Sequence, residues 1–402
     1  MNNHFDLIIA GGGLVGNCLA LALKNSGLSI AVVEAASAVQ QQQSPAGDRA
    51  LALAAGTVAL LDQLGAWAEI AQQATAIKQI HVSDQGHFGK TRLSAQQQGV
   101  DALGYVITAR DIETHVANLV AETAVNYFYQ TRVDDLTVHP NRIELQLQSA
   151  DGQVSTISAE LVVGADGGQS SVRKLLKIDQ KVTEYGQTAL VTTVQSSLQN
   201  QNTAYERFTA FGPLALLPVG GRQAAVVWTR SHQQAQDLMA GSEAEFLAAL
   251  QACFGYRLGT LKLVAPRRAF PLSLIRADNM VAERAVIIGN AVHQLHPVAG
   301  QGFNLSIRDV AELAEVLMRQ HQAQLDLGDP VYLQRYAKQR QQDHANTIGF
   351  TDNVVRIFSN QWLALAALRN SGLTLLDHLP FAKQLLTKHA MGLARPMPNL
   401  NQ

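Results

Sequence analysis

The stretch Phe5-Asp6-Leu7-Ile8-Ile9-Ala10-Gly11-Gly12-Gly13-Leu14-Val15-Gly16 decides the fold. Apolar residues at 5–10 predict a buried strand, the glycines a tight turn, and the run through residue 24 a helix. In that order Gly11 permits the turn and Gly13 lets backbone approach a pyrophosphate. Gly16 lets the helix pack closely on the strand, with its N-terminal amides facing the anion. A second apolar strand over 29–33 ends at Glu34, placed to accept hydrogen bonds from an adenosine ribose. Glycine-rich turns also occur where nothing binds, but strand, turn, helix, strand and acid in succession specify a dinucleotide site. This unit alone does not separate a nicotinamide from a flavin dinucleotide.

Two later segments add to it. Gly164-Ala165-Asp166-Gly167-Gly168-Gln169-Ser170-Ser171-Val172-Arg173 closes a strand predicted over 154–163. An apolar strand over 284–288 leads into Gly289-Asn290-Ala291. Then His296-Pro297-Val298-Ala299-Gly300-Gln301-Gly302-Phe303-Asn304 precedes a helix predicted over 304–320, with Val310, Leu313, Ala314 and Leu317 on one stripe. A glycine-rich loop opening a helix presents free amides to an acceptor.

Composition narrows the setting. At 402 residues and 47% hydrophobic content the chain can bury two substantial cores. A net charge of −1, from 31 basic and 32 acidic residues, gives no global field for nucleic acid or an anionic membrane, so no nucleic-acid partner is expected. The two cysteines, Cys18 and Cys253, fit buried thiols in a reducing compartment. The first apolar residues already belong to the first strand, which argues against a secretory signal, and no apolar run reaches the roughly 18 residues of a spanning helix. A cytoplasmic protein is the expectation.

Between these landmarks, Ser44-Pro45-Ala46-Gly47-Asp48-Arg49 reads as an exposed loop. Arg49 there is either a pyrophosphate ligand or a solvated cation. Residues 51–64 read as a helix and 78–93 as a hairpin turning at Asp84-Gln85-Gly86. Thr108 starts a helix whose Ile112, Val116, Leu119 and Val120 share a face, and strands are expected over 131–138 and 142–148. From 190 to 271 the pattern turns strand-rich, with paired strands over 208–219 and 223–229 and a helix over 243–254. The tail is helical in character to about 393. The expected architecture is α/β: a discontinuous Rossmann-like nucleotide domain (1–75, 95–180 and 272–330), an inserted antiparallel-sheet domain (76–94 and 181–271) and a helical C-terminal region (331–402).

At Gly11–Gly16, 164–173 and 289–309 the sequence resembles the FAD-dependent aromatic hydroxylases of the para-hydroxybenzoate hydroxylase type, whose nucleotide domain is of the glutathione reductase kind. Residues 296–309 resemble the signature of the ubiquinone-biosynthesis hydroxylases within them. His81-Val82-Ser83-Asp84, Glu206-Arg207-Phe208-Thr209, Gly212-Pro213-Leu214-Ala215 and Phe254-Gly255-Tyr256-Arg257-Leu258-Gly259 look most like the 2-polyprenyl-6-methoxyphenol hydroxylases. The likeness runs from about residue 5 to 395. It implies that Gly11, Gly13, Gly16 and Glu34 bind the ADP half of FAD and that Arg49 and Arg110 help hold its pyrophosphate and ribityl region. Asp166 and Gly167 would serve FAD and the NAD(P)H donor, and Asn290, Gly300, Gln301, Gly302 and Asn304 would complete the flavin site. Asn290 stands where most of the superfamily has aspartate, and Ser306 where the signature has glycine.

The implied reaction is hydroxylation of a polyprenyl phenol, 2-polyprenyl-6-methoxyphenol to 2-polyprenyl-6-methoxy-1,4-benzoquinol, by O2 through a flavin C4a-hydroperoxide. Hydroxylation of another ring position or another phenol, and a flavin-bearing scaffold without catalysis, are the alternatives. The sequence singles out no acid or base; His296, Pro297 and Gln301 are the candidates near the flavin. His293 and His296 lack further ligands at matching spacing, so no metal is expected. Phe208, Phe211, Leu216 and Pro218 fit an aromatic pocket or ordinary sheet core equally. The apolar stretch from Trp362 to Leu379, followed by Lys383, Lys388, His389 and Arg395, fits peripheral membrane contact or packing on the fold or on another subunit. Other ubiquinone-biosynthesis proteins are the expected partners, and an oligomer is compatible.

Overall fold

The computed structural model describes residues 3–358, 363–393 and 398–400. Its first sheet has parallel strands at the centre, in the order Ala285–Ile287, Val154–Gly164, His4–Ala10, Ile30–Val33, Asn126–Phe128. Ile8 pairs with Val162 on one side and Ala31 on the other. Leu7, Ile8 and Ile9 are all buried, as a central strand covered on both faces requires, which is why this segment is continuously apolar. Strands Thr131–Val138 and Ile143–Ser149 continue as an antiparallel meander onto Val154–Gly164. Helix Leu14–Ala22 packs against helices Ala109–Ala121 and Gln301–Gln322, so the fingerprint turn and the late glycine loop meet at one end of the sheet.

The second sheet runs His293–Gln294, Arg268–Ala277, Gln180–Ser196, Gln223–Ser231, Gly212–Pro218, Thr203–Thr209, Gln79–Asp84, Lys90–Ser94. All its pairings are antiparallel except Thr203–Thr209 on Gln79–Asp84, where Tyr205 lies beside His81 in parallel register. Helices His232–Ala240 and Glu243–Phe254 cover one face over Leu190, Val194, Leu214, Leu216, Val226 and Trp228. A three-stranded sheet of Ala50–Ala54, Gly104–Thr108 and Thr75–Ile77 completes the sheets among the described residues.

Local departures from the sequence reading have physical reasons. Residues 51–64 are not one helix: Ala50–Ala54 is a strand and the helix is Ala55–Gln63. Alanine and leucine favour helix, but pairing of Leu51 with Ile107 and Leu53 with Tyr105 overrides that weak preference. The expected strand over 208–219 is two, because the chain turns at Ala210-Phe211 and Gly212 takes φ +127°. The second sheet continues through Ala277 and recruits His293–Gln294, beyond the expected boundary at 271. The helix expected from 304 begins at Gln301. Among the described residues the C-terminal region forms three helices, Pro330–Phe358, Leu363–His378 and Pro380–Ala390. Trp362 and Arg395 lie outside the described residues.

Candidate active site

The fingerprint turn has the geometry its glycines are needed for. Gly11 sits at φ +106°, and a Cβ there would lie 2.5 Å from the Ala165 carbonyl oxygen. A Cβ on Gly16 would lie 1.9 Å from the Gly11 oxygen, so only glycine lets the helix approach the turn. Gly13 caps that helix, and a Cβ there would meet nothing nearer than Glu113 Oε1 at 3.9 Å. The space over the helix N-terminus is therefore open to a pyrophosphate. Glu34 accepts the Gly12 and Ala36 N–H groups, one on each oxygen, both at 2.8 Å. A carboxylate oxygen has more than one acceptor site, so a ribose hydroxyl still has somewhere to donate. Tyr127 closes the turn from behind, donating to Asn17 Oδ1 at 2.8 Å.

The two arginines differ. Arg49 is exposed and donates Nε to the Ala46 oxygen at 2.9 Å. Arg110 is tied to the 44–48 loop, donating to the Ser44 oxygen at 2.9 Å and to Asp48 at 2.6 Å. Asp48 also takes Arg268 of the second sheet at 2.7 Å. These contacts, Arg110's hydrogen bond first, hold the Asp48 carboxyl below its usual range. Arg110 thus orders the loop that joins the two sheets.

Asp166 Oδ2 accepts Ser171 N–H at 2.7 Å and Val172 N–H at 3.1 Å. Its Oδ1 is shut off from solvent with no hydrogen-bond partner among the described residues. Gly167, at φ +81°, has open space where a Cβ would project. Arg173, which the sequence reading left without a role, is buried and donates to the Ala291 oxygen at 2.9 Å and the Gly168 oxygen at 3.0 Å. It locks the 164–173 segment to the 289–291 turn, beside which Asn290 is exposed. The only sequence signal for it was a cation at the end of a glycine-flanked turn.

Gly300 caps the Gln301–Gln322 helix in the left-handed region, φ +61°, and the position of a Cβ on Gly302 is open. Asn304 does not face this space. Its amide accepts Ala54 N–H at 2.9 Å and the Thr57 hydroxyl at 2.7 Å, and donates to the Ala52 and Gly300 oxygens at 2.9 and 2.7 Å. Asn304 therefore shapes the loop. Ser306 donates to the Gly302 oxygen at 3.1 Å, so its hydroxyl is absorbed within the first helical turns. Open glycine positions, the outward helix start and the orphaned Asp166 oxygen together fit a bound FAD.

The four aromatic-pocket candidates do not share a face. Leu216 is fully buried under the two helices of the second sheet, and Pro218 follows it at the strand period on the same side. Phe211 is exposed in the turn, with the Arg230 guanidinium 5.6 Å from its ring centre. Phe208 alone faces the glycine loop, stacked on Phe358 at 4.0 Å and packed with Val298 and Val355.

His296 is buried beside that cluster and accepts the Val298 N–H on Nδ1 at 3.2 Å, which places its own hydrogen on Nε2. Nε2 has no partner among the described residues. Burial pushes the imidazole down to about 4, so it is neutral at physiological pH. The Tyr185 ring meets it edge-on at 5.3 Å, and the Tyr185 hydroxyl donates to Asp352 at 3.2 Å.

His293 points elsewhere. Its Nε2 lies 3.3 Å from Asp309, whose other oxygen receives His344 at 2.7 Å and Arg340 at 2.6 Å. The ligating atoms of His293, Asp309 and His344 lie within 4.8 Å of one another, but the Arg340 cation already occupies the carboxylate they would share. Burial pushes Asp309 up, yet His344 and Arg340 outweigh it and hold the carboxyl well below its usual range. The cluster ties helix Gln301–Gln322 to helix Pro330–Phe358.

Comparison with known proteins agrees with this geometry. A family model described as FAD binding domain matches residues 4–350. The chain is 35% identical, over 96% of its length and 89% of the relative's, to ubiquinone hydroxylase UbiL of Rhodospirillum rubrum. It is 29% identical, over 98% and 100%, to 3-demethoxyubiquinol 3-hydroxylase of Escherichia coli. Among solved structures, p-nitrophenol 4-monooxygenase PnpA of Pseudomonas putida superposes with a TM-score of 0.80 at 18% identity, covering 98% of this chain and 100% of that one. The chain belongs to this FAD-binding family and is an FAD-dependent aromatic-ring monooxygenase of the kind that includes the ubiquinone-biosynthesis hydroxylases.

Proposed function

We propose that the protein hydroxylates the ring of a polyprenyl phenol in ubiquinone synthesis, converting 2-polyprenyl-6-methoxyphenol to 2-polyprenyl-6-methoxy-1,4-benzoquinol with O2 and NAD(P)H. The observation that carries the reading is the meeting of the 296–304 loop with an apolar sheet face, through Val298 and Phe208. That face suits an uncharged aromatic ring, and the full-length likeness to ubiquinone hydroxylases supports the pathway. A second reading, hydroxylation of a different ring position, is favoured by the likeness to 3-demethoxyubiquinol 3-hydroxylase.

Bound FAD supplies electron transfer from the donor and the activation of oxygen. Gly11, Gly13, Gly16 and Glu34 hold its ADP half, with Arg49 outside. Amides at the start of the Gln301–Gln322 helix would favour negative charge on a flavin ring bound there. Asp166 and Gly167 would serve the cofactor and the donor; with no second Rossmann unit among the described residues, the donor would bind transiently. Phe208, Val298 and Val355 exclude water and orient the substrate ring.

No helix among the described residues is long and apolar enough to cross a membrane. Leu375, Phe381 and Leu385 on the last two helices, and Leu379 between them, are exposed, where the prenyl tail would stay in a membrane or a lipid-bearing complex. Purified protein should couple NAD(P)H and O2 consumption to a prenylated methoxyphenol. A deletion strain should lack aerobic ubiquinone and accumulate that phenol; normal quinone with no redundant hydroxylase rejects the substrate assignment.

A further inference from the structure

The second sheet carries a carboxylate that neither the cofactor contacts nor the ion pairs engage. Glu206 lies on strand Thr203–Thr209, paired with Ala215 on one side and Val82 on the other. Its neighbour Tyr205 packs into the core under the helices, so alternation turns Glu206 to the opposite face, with Ala204 and Phe208. Ala204 packs in a cluster that includes Ala52, against which Gly300 would set a Cβ at 3.0 Å. Phe208 packs on Val298. Glu206 therefore sits between two apolar clusters that both touch the glycine loop.

Its carboxylate makes no hydrogen bond or ion pair among the described residues, and Oε1 is shut off from solvent. The residue as a whole is half-buried, with Oε1 on its closed side, and desolvation there, the only cause, pushes the carboxyl up to about 7. The titratable and charged groups around this face include Asp84, paired with Arg369, together with Tyr185, His296, Asp352 and Arg356. Tyr185 and Arg356 are engaged with Asp352, and His296 is neutral. None of them pairs with Glu206.

We propose that Glu206 is a catalytic residue that accepts the hydroxyl proton of the phenol substrate. This rests on the functional reading above. As the ring forms its new C–O bond, the phenol O–H proton passes to Glu206. The ring C–H proton then passes to the other oxygen atom of the O–O bond that has broken, which restores aromaticity, and the proton on Glu206 returns to the phenol oxygen. No electrons pass through the carboxylate. The two electrons come from NAD(P)H, the second oxygen atom leaves as water, and the sum is phenol, O2, NAD(P)H and a proton going to hydroxylated phenol, water and NAD(P)+.

The test uses the full-length FAD-loaded protein with 2-geranyl-6-methoxyphenol and its O-methyl ether, which has no proton to give. Binding is read from the flavin absorbance change and coupling from the ratio of product to hydrogen peroxide. Wild type should prefer the phenol by about ten-fold, as a hydrogen bond to a charged acceptor allows. Glu206→Gln should retain FAD and bind the ether normally, yet lose the preference and divert most oxygen to peroxide; Glu206→Asp should recover part of both. Unchanged preference and coupling in Glu206→Gln overturns the role, as does weakening of phenol and ether alike in both variants, which marks packing. If wild type neither binds nor hydroxylates the phenol, the functional reading fails and the role of Glu206 falls with it.

Discussion

Asn304 accepts the Ala54 N–H at 2.9 Å, joining residues 250 positions apart. The same amide donates to the Ala52 and Gly300 oxygens. One side chain thus fixes the strand Ala50–Ala54 against the glycine loop. Asn304→Ala strands these backbone groups at a cost on the order of 1–3 kcal/mol. The expected outcome is a folded protein of lower melting temperature that releases FAD on gel filtration; unchanged FAD retention rejects the pinning role.

Gly13 and Gly16 should respond differently to the same methyl group. Gly16→Ala puts a Cβ 1.9 Å from a backbone oxygen and should yield little folded protein, whereas Gly13→Ala enters open space. A bulkier Gly13→Leu should fold and show native far-UV circular dichroism but lose FAD. A Gly13→Leu protein that stays fully yellow would place the pyrophosphate elsewhere.

Glu206 also sets a pH signature on stability. Burial raises its folded value to about 7 from an ordinary 4.5, so the folded state holds this proton more tightly than the unfolded chain. The stabilisation is complete below about pH 4.5 and is lost as pH rises through about 7, an effect of at most roughly 3 kcal/mol. Melting temperatures of wild type and Glu206→Gln should therefore diverge between pH 4.5 and 7.5, with the variant gaining relative stability toward the upper end. Parallel curves would show that Glu206 is solvated.

Arg340 and Asp309 are both fully buried, with Nε and Oδ1 2.6 Å apart. Arg340 also pairs with Glu312 and Asp343, so Arg340→Met takes the guanidinium from three carboxylates, one of them fully buried, and should cost about 3–5 kcal/mol. Adding Asp309→Asn should recover a sizeable part of it, measurable as a coupling in urea denaturation. Additive losses would mean that the two do not act as a pair.

The nucleotide half was legible because each of its devices is local: an apolar strand, glycines at fixed offsets, a helix start. The same logic located the meander and helix Glu243–Phe254, whose capping box at Ser242 and Glu245 lies within one turn. The proposed substrate face was not legible. Phe208, Phe211, Leu216 and Pro218 are close in sequence, but a strand sends alternate residues to opposite faces, and only pairing with Gln79–Asp84 and packing by Val298 show which face fronts the loop. Arg173 and Asn304 act on segments more than a hundred residues away, and Glu206 is conspicuous only once its lack of a partner is visible.

On the proposed function, one atom of O2 enters the prenylated phenol ring. The most direct test is turnover of 2-geranyl-6-methoxyphenol by the FAD-loaded protein with NAD(P)H under 18O2, followed by mass spectrometry of the product. One labelled oxygen is expected in each hydroxylated ring, with none from labelled water. A product without label, or NAD(P)H oxidation that yields only hydrogen peroxide with every prenylated phenol tried, would contradict the proposed function.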